Sequence, residues 1–411
     1  MLNEILKQYE TPLYFYDGDK IEENVKLLKN SIMSGANLFF SMKANPLMGL
    51  CRMMNKLGCG IEVASKGELY LALKSGCDPN NILFSSPGKT HEELEYAVGK
   101  RIHVINAESL EELKLINHIA EGQNWCANVA IRINPKESQM NAKIKMSGVS
   151  SQFGIEEAAI DDITMNIIKG MKNIKLVGIQ VYVGTQILQV EDIINNTEYI
   201  IKLALELSDK YHFQLSYINM GGGFGVPYFR NEKNLDMEQL GEGMRFLSSR
   251  YKAELEKVEL VFESGRFILA ESGKFITKVL YKKESKGKKY IVCDGGSNFH
   301  AASAFLGRSI RNNYPIYSIP DQEEKEEMTV TGPLCTPTDV IGQSVQINKD
   351  IKKGDYIVID KSGAYGLTYS PLAFLGHRRP IEIMRYKQKI YILKQQGEVE
   401  NNLIGQNMIE F

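Results

Sequence analysis

Short apolar runs alternate with longer amphipathic stretches through the first two-thirds of the chain. The runs predict strands, and apolar positions at helical spacing predict the helices between them. The predicted strands are residues 38–42, 60–63, 82–84, 102–105, 129–133, 176–183, 217–220 and 260–263. The predicted helices are residues 46–57, 66–74, 92–98, 110–118, 160–168, 191–207 and 237–256. This α/β alternation favours a closed, TIM-like (β/α)8 barrel over an open doubly wound sheet.

The pattern changes after Arg266. The remaining sequence is rich in β-branched and aromatic residues and carries turns such as Lys286-Gly287-Lys288. This composition, with its frequent turns, predicts a C-terminal all-β domain. The opening residues 12–16 also form a strand-like run that could join it. We therefore expect a barrel over residues 26–265, and a β domain made of residues 1–25 plus 266–411.

Charge and composition narrow the class of partner. The chain is 43% hydrophobic and 24% charged, with a net charge of −1, which argues against nucleic acid or an anionic membrane. The densest basic run, residues 282–289, is interrupted by Glu284 and Gly287, and we interpret it as a solvated turn. No apolar stretch approaches the roughly 20 residues of a membrane span, and residues 1–10 do not resemble a secretory signal.

The six cysteines are scattered at positions 51, 59, 77, 126, 293 and 335. None forms a C-x-x-C pair, and no histidine cluster lies near one of them in sequence. This usage predicts reduced thiols, a cytoplasmic location and no metal site.

Candidate catalytic groups follow the barrel strands, where parallel barrels place their active sites. Lys43 ends the first strand, and a partly buried lysine can form a Schiff base, although a surface lysine is the alternative. Gly221, Gly222 and Gly223 follow the seventh strand, where barrels often bind phosphate, although a flexible turn is the alternative.

Three further segments could carry chemistry. Glu263 ends the eighth strand and could pair with a cationic ring nitrogen, while Gly265 and Arg266 could contact phosphate. Cys335 could donate a proton or act as a nucleophile. Tyr365 lies in a glycine-flanked turn. The alternative for Glu263 and Arg266 is an ordinary surface ion pair. The alternatives for Cys335 and Tyr365 are an inert core cysteine and an aromatic residue in a loop.

Taken together and in this order, these segments resemble the barrel-type (alanine-racemase-fold) pyridoxal-phosphate decarboxylases, such as those acting on diaminopimelate and ornithine. The resemblance covers nearly the whole chain and implies pyridoxal 5'-phosphate as cofactor. The segments that carry it are Pro12-Leu13-Tyr14, Lys43-Ala44-Asn45-Pro46, residues 62–69, Gln152-Phe153-Gly154, residues 221–225 and 263–266, Asp294-Gly295-Gly296, Gly332-Pro333-Leu334-Cys335 and Gly363-Ala364-Tyr365.

The resemblance also implies individual roles. Lys43 would hold the cofactor as a Schiff base, and Glu263 would keep the ring nitrogen protonated. Cys335 would enter from the partner subunit of an obligate homodimer and return a proton to the α-carbon. Further cofactor contacts are implied for Arg132, Tyr182, Gly221, Gly222, Gly223, Gly265, Arg266 and Tyr365.

Three departures from the family pattern bear on the substrate. Tyr182 stands where relatives stack a histidine on the cofactor ring. Thr336 and Ala302 stand where diaminopimelate decarboxylases carry a glutamate and an arginine for the distal ammonium and carboxylate. Arg308 and Arg311 lie further on and could compensate, though at different positions. Burying those charges without partners is costly, so a substrate with a neutral far end fits better. The candidate substrate contacts are Arg308, Arg311, Tyr314, Thr336 and Tyr365.

The resemblance is closest to the carrier-protein-dependent branch, which acts on L-glutamate tethered to an acyl-carrier protein in butirosin biosynthesis. We therefore predict decarboxylation of carrier-bound L-glutamate to a 4-aminobutyryl carrier protein. One alternative is a free amino acid substrate, namely meso-diaminopimelate, ornithine or lysine. Another is a cofactor-binding protein without catalysis, against which the β domain with Cys335 and Tyr365 argues. The shared segments are residues 144–149, 181–186, 223–229, 308–315 and 375–377.

Overall fold

The computed structural model describes residues 2–136, 144–145, 150–229, 231–309 and 313–409. Within these ranges, the strands are β1 (Leu13–Asp17), β2 (Asn37–Ser41), β3 (Gly60–Val63), β4 (Ile82–Ser85), β5 (Val104–Ala107), β6 (Ala127–Asn134), β7 (Ile144–Lys145), β8 (Ile155–Glu156), β9 (Ile174–Val181), β10 (Gly184–Thr185), β11 (Tyr217–Asn219), β12 (Glu259–Ser264), β13 (Gly273–Ser285), β14 (Lys288–Cys293), β15 (Ile316–Ile319), β16 (Lys325–Thr331), β17 (Val340–Asn348), β18 (Tyr356–Ile359), β19 (Ile381–Tyr386) and β20 (Lys389–Lys394).

The α-helices of the same ranges mostly connect barrel strands. They are α1 (Leu2–Gln8), α2 (Gly18–Ser31), α3 (Met48–Lys56), α4 (Lys66–Lys74), α5 (His91–Gly99), α6 (Leu110–Gly122), α7 (Asp162–Gly170), α8 (Val190–Tyr211), α9 (Met237–Arg250), α10 (Arg266–Leu269) and α11 (Ala301–Ser309). Among the described residues, no helix is both long enough and apolar enough to cross a bilayer.

Eight parallel strands close into a barrel. They follow the order β5-β4-β3-β2-β12-β11-β9-β6, and β5 pairs with β6 to complete the ring. The predicted barrel is confirmed, and the open-sheet alternative is wrong because the sheet has no free edge at β5. Each of the eight strands begins and ends within two residues of its predicted position.

Close packing at a few positions sets the barrel's geometry. A buried cluster joins seven of its strands, through Phe39, Leu83, Val104, Ala130, Val177, Tyr217 and Val261. Gly178 on β9 must lack a side chain because a Cβ there would overlap the carbonyl oxygen of Tyr217 on β11. Serine caps such as Ser65, whose Oγ accepts the Glu68 N–H, begin the helices that follow.

Strand β1 and the strands from β13 to β20 build a mostly β unit. Its sheet runs β17-β16-β14-β13-β1-β19-β20, with β18 pairing β13 and β15 pairing β18. The opening strand β1 lies between β13 and β19. An apolar cluster fills one face, formed by Ile5, Leu6, Leu13, Phe15, Ile276, Val358, Ile381 and Ile383.

The chain divides into two compact units. The barrel unit comprises Glu23–Pro227 and Lys233–Ile268, and the β unit comprises Met1–Glu22, Tyr228–Glu232 and Leu269–Phe411. The segment Tyr228–Glu232 thus groups with the β unit, although it lies between β11 and α9 in the chain.

Candidate active site

Lys43 follows β2 in a short 3-10 turn and is half-buried. Its Nζ lies 3.0 Å from both carboxylate oxygens of Glu62, which is fully buried on β3. The same amine lies 5.9 Å from the centre of the Tyr182 ring. Because β2 and β3 are neighbours in the barrel, their carboxyl ends bring these groups to one place.

Glu263 is buried on β12, and two side-chain amides fix its carboxylate. Its Oε1 accepts N–H groups from Gln180 at 2.7 Å and Asn219 at 2.8 Å. Burial, and then the neighbouring charge of Glu62, raises the pKa of Glu263 to about 7. A cationic group beside this carboxylate would favour its ionised form.

Tyr182, half-buried after β9, has cations near its ring. The guanidinium carbon of Arg132 lies 5.9 Å from the Tyr182 ring centre and 4.8 Å from that of Phe153. Arg132 is itself buried and donates to Glu108 Oε1 at 2.7 Å, while Glu108 Oε2 accepts the Gly154 N–H. The arginine is thus held in place before any ligand arrives.

The glycine loop after β11 passes close to neighbouring backbone. Gly221 and Gly223 have φ of +64° and +104°, a region that favours glycine. A Cβ at Gly221 would lie 2.6 Å from the Val181 carbonyl oxygen, and one at Gly222 would overlap that of Glu263. The N–H groups of Gly222 and Gly223 donate to no acceptor among the described residues. These donors are suited to an anion.

A second glycine closes the same end of the barrel. A Cβ at Gly265 would lie 2.6 Å from the Ala44 Cβ and 2.9 Å from the Ser41 carbonyl oxygen. Arg266 begins α10 directly after it. The structure therefore brings one group of predicted residues together in the barrel unit: Lys43, Arg132, Tyr182, Gly221, Gly222, Gly223, Glu263, Gly265 and Arg266.

In the β unit, Cys335 is exposed on the loop after β16. Asp339 fixes this loop, because its carboxylate accepts the N–H of Leu334 at 2.8 Å and the N–H of Ser297 at 2.6 Å. Thr336 is half-buried, with its hydroxyl 2.9 Å from that of Thr338.

Tyr365 is half-buried and has a φ of +58°. Tyr314 is buried, with its ring centre 4.8 Å from that of Tyr228 and 5.3 Å from that of His300. The side chain of Arg308 and the whole of Arg311 lie outside the described residues, so these two predictions have no structural counterpart.

A family model described as pyridoxal-dependent decarboxylase, pyridoxal binding domain, matches residues 18–270. The chain belongs to this family. It is 40% identical over 412 residues to the L-glutamyl-[BtrI acyl-carrier protein] decarboxylase of Niallia circulans, covering 99% of this chain and 96% of that protein.

More distant relatives also match along most of their length. The 2-[(L-alanin-3-ylcarbamoyl)methyl]-2-hydroxybutanedioate decarboxylase of Staphylococcus aureus is 34% identical, over 92% of this chain and 95% of that protein. The crystal structure of diaminopimelate decarboxylase from Methanocaldococcus jannaschii superposes with a TM-score of 0.90 at 26% identity, over 99% of this chain and 94% of that one.

The barrel residues of this pyridoxal-dependent decarboxylase fit its cofactor, pyridoxal phosphate. Lys43 would hold the aldehyde carbon, and the buried carboxylate of Glu263 would face the ring nitrogen. The unpaired N–H groups of Gly222 and Gly223 would bind the phosphate. When bound, the cofactor supplies an electron-accepting ring for the bond that breaks.

Sequence reasoning missed four polar residues of this decarboxylase site: Glu62, Glu108, Gln180 and Asn219. Glu62 lies in a segment already singled out, but only the pairing of β2 with β3 places it against Lys43. Gln180 and Asn219 are register partners on β9 and β11. A polar residue inside an otherwise apolar barrel strand is the signal that could have found them.

Proposed function

We propose that this decarboxylase removes the α-carboxyl group of an L-glutamyl unit held as a thioester on an acyl-carrier protein. The product would be a 4-aminobutyryl carrier protein. The observation that carries the proposal is the 40% identity, across 99% of the chain, to an enzyme named for a carrier-bound glutamyl substrate.

The side chains at the expected substrate end support an uncharged distal group. Ala302 is buried and apolar, and the Thr336 hydroxyl already interacts with Thr338. Neither supplies a charge for a distal carboxylate or ammonium. A thioester carries no such charge, whereas free diaminopimelate would bring two, and leaving buried charges unpaired is costly.

Individual residues of the chain have distinct roles in the proposed decarboxylation. Glu62 orients the Lys43 amine through both of its oxygens and can hold or return its proton. Glu263 stabilises a proton on the ring nitrogen by charge pairing. Arg132 and Tyr182, which lie next to each other, would contact the cofactor, and the exposed Cys335 thiol would return a proton to the α-carbon.

We further propose a homodimer with shared active sites, in which Cys335 serves the barrel of the partner subunit. The exposure of this thiol on a loop fixed by Asp339 supports such a role. The acyl-carrier protein is the second proposed partner.

A substrate comparison tests the reaction. Purified holoenzyme should release CO₂ from glutamyl-carrier protein, with the matching mass loss on the carrier. Its kcat/KM for free meso-diaminopimelate, ornithine, lysine or glutamate should be lower by about 100-fold or more. Unloaded carrier is the control. Comparable turnover of free diaminopimelate, or an unchanged mass of the glutamyl-carrier, would overturn the proposal.

A further inference from the structure

Six exposed lysines gather at one end of the β unit's sheet. Four lie on the β13–β14 hairpin and two on the turn that follows β17. We call this surface the lysine edge. Its members are Lys282, Lys283, Lys286, Lys288, Lys352 and Lys353.

Backbone and side-chain contacts hold the two segments of the lysine edge side by side. The Lys282 ammonium donates to the Lys349 carbonyl oxygen at 2.6 Å, and the Gly354 N–H donates to the Val279 carbonyl oxygen at 2.9 Å. The Lys353 ammonium lies 5.9 Å from the centre of the Tyr281 ring, a side chain that is 62% exposed. The lysines therefore form one surface rather than two unrelated turns.

The charge of the lysine edge is not balanced by ion pairs. None of its six ammonium groups pairs with a carboxylate among the described residues, whereas the adjacent Lys289 and Lys349 pair with Glu326 and Glu324. The acidic residues of the two segments are Glu284 on the hairpin and Asp350 and Asp355 on the turn, so the six lysines of the edge outnumber the carboxylates two to one. In a chain of net charge −1, such local positive charge favours encounter with an acidic surface.

The strands connect this edge to the Cys335 loop. β14 runs parallel to β16, with Val292 opposite Thr331, and Cys335 follows shortly after the end of β16. Roughly 13 Å of strand separates Lys288 from Val292. A protein bound at the lysine edge would thus sit about one strand length from the loop that carries the exposed thiol.

We propose that the lysine edge docks an acidic face of the carrier protein that bears the substrate, an inference that rests on the proposed function. A carrier must bind the enzyme surface while its thioester reaches the site. The positive charge of the lysine edge would favour this surface binding. A bilayer or a nucleic acid fits less well, because the positive charge is confined to two neighbouring turns at one end of the sheet.

Charge reversal with two substrates tests the docking. The edge variant is K283E/K286E/K288E, and the control is K114E/K169E/K252E, which changes three exposed lysines of the barrel unit. With glutamyl-carrier protein, the edge variant should show a KM raised about tenfold at unchanged kcat. With the small thioester glutamyl-pantetheine, its kcat/KM should equal that of wild type. The control variant should match wild type on both substrates.

The outcomes separate the two proposals. If wild type turns over glutamyl-carrier but the edge and control variants share the same KM, the docking proposal fails alone. If wild type turns over neither thioester, the proposed function fails and the docking proposal with it. Loss of binding to anionic phospholipid vesicles or to RNA in the edge variant, with an unchanged carrier KM, would assign the edge to phosphates and overturn carrier docking.

Discussion

Glu263 combines a buried carboxylate with a pKa raised to about 7 by burial and the charge of Glu62. In the unfolded chain the same group titrates at its ordinary value of 4.5. Between these values the folded state binds more protons than the unfolded state, so its stability falls as pH rises. Placing a cationic ring nitrogen beside the carboxylate would remove much of this cost.

The cofactor-free protein should therefore lose stability from about pH 5 to about pH 8, and Glu263→Gln should reduce that loss by about 1–3 kcal/mol. An amide cannot ionise, yet its carbonyl oxygen can still accept the N–H groups of Gln180 and Asn219. Urea unfolding at each pH measures the difference. Burial also raises the pKa of Glu68 to about 7. Part of the loss of stability with rising pH should therefore remain in both proteins.

The exposed Glu111 on α6 provides the matched control. Glu111→Gln should leave the pH dependence of unfolding as in wild type. An identical decline in wild type and Glu263→Gln would contradict the assignment of a costly buried charge at this position.

At the scale of elements, the backbone of the glycine loop after β11 packs closely against the ends of β9 and β12. A Cβ at Gly222 would overlap the carbonyl oxygen of Glu263, which belongs to a fixed strand rather than a flexible side chain. Gly222→Ala should therefore destabilise the protein by about 1–3 kcal/mol and weaken retention of pyridoxal phosphate. Thermal unfolding and the absorbance retained after dialysis measure the two effects.

Gly88, in the loop between β4 and α5, provides the control for this substitution. A methyl group added there would have no neighbouring atom within 4 Å, and the residue has no positive φ. Gly88→Ala should therefore change neither stability nor cofactor retention appreciably. Equal behaviour of the two variants would show that the loop after β11 can relax without cost, contrary to its packing.

Strand positions were predictable because an apolar run is a local property of the chain. The helix α2 was not predicted, although Asp17 accepts the N–H groups of Asp19 and Lys20 at its start. An aspartate just before a charged stretch is a signal for the start of a helix. The signal is easily overlooked here because α2 precedes the first strand of the strand–helix alternation. The sequence predicts the last barrel helix to residue 256, whereas α9 ends at Arg250 and turns follow.

Candidate site residues could be predicted where their position relative to a strand was enough to place them at the catalytic end of the barrel. Lys43 and Glu263 follow or end strands, so the barrel places them at its catalytic end. Gln180 and Asn219 required the register of β9 against β11, which local sequence does not encode. The same holds for Glu62, whose contact with Lys43 depends on the neighbouring strand.

At the scale of the whole molecule, the proposed homodimer takes the two catalytic groups of each site from different chains. Lys43 belongs to the barrel unit, and Cys335 belongs to the β unit. If Cys335 serves the partner's barrel, inactive Lys43→Ala and Cys335→Ala chains should complement each other. A hybrid dimer then holds one site with both wild-type residues, made from Lys43 of one chain and Cys335 of the other.

Random reassociation of equal amounts of the two variants makes about half of the dimers hybrid, so the mixture should recover about a quarter of wild-type activity. Mixing Cys335→Ala with the double variant Lys43→Ala/Cys335→Ala should recover none, because no chain then supplies the thiol. Cys126→Ala, which removes the other exposed cysteine, should stay active by itself. If Cys335 instead served its own chain's barrel, every hybrid site would lack one group and the first mixture would also stay inactive, which would refute the shared site while leaving the decarboxylase assignment intact.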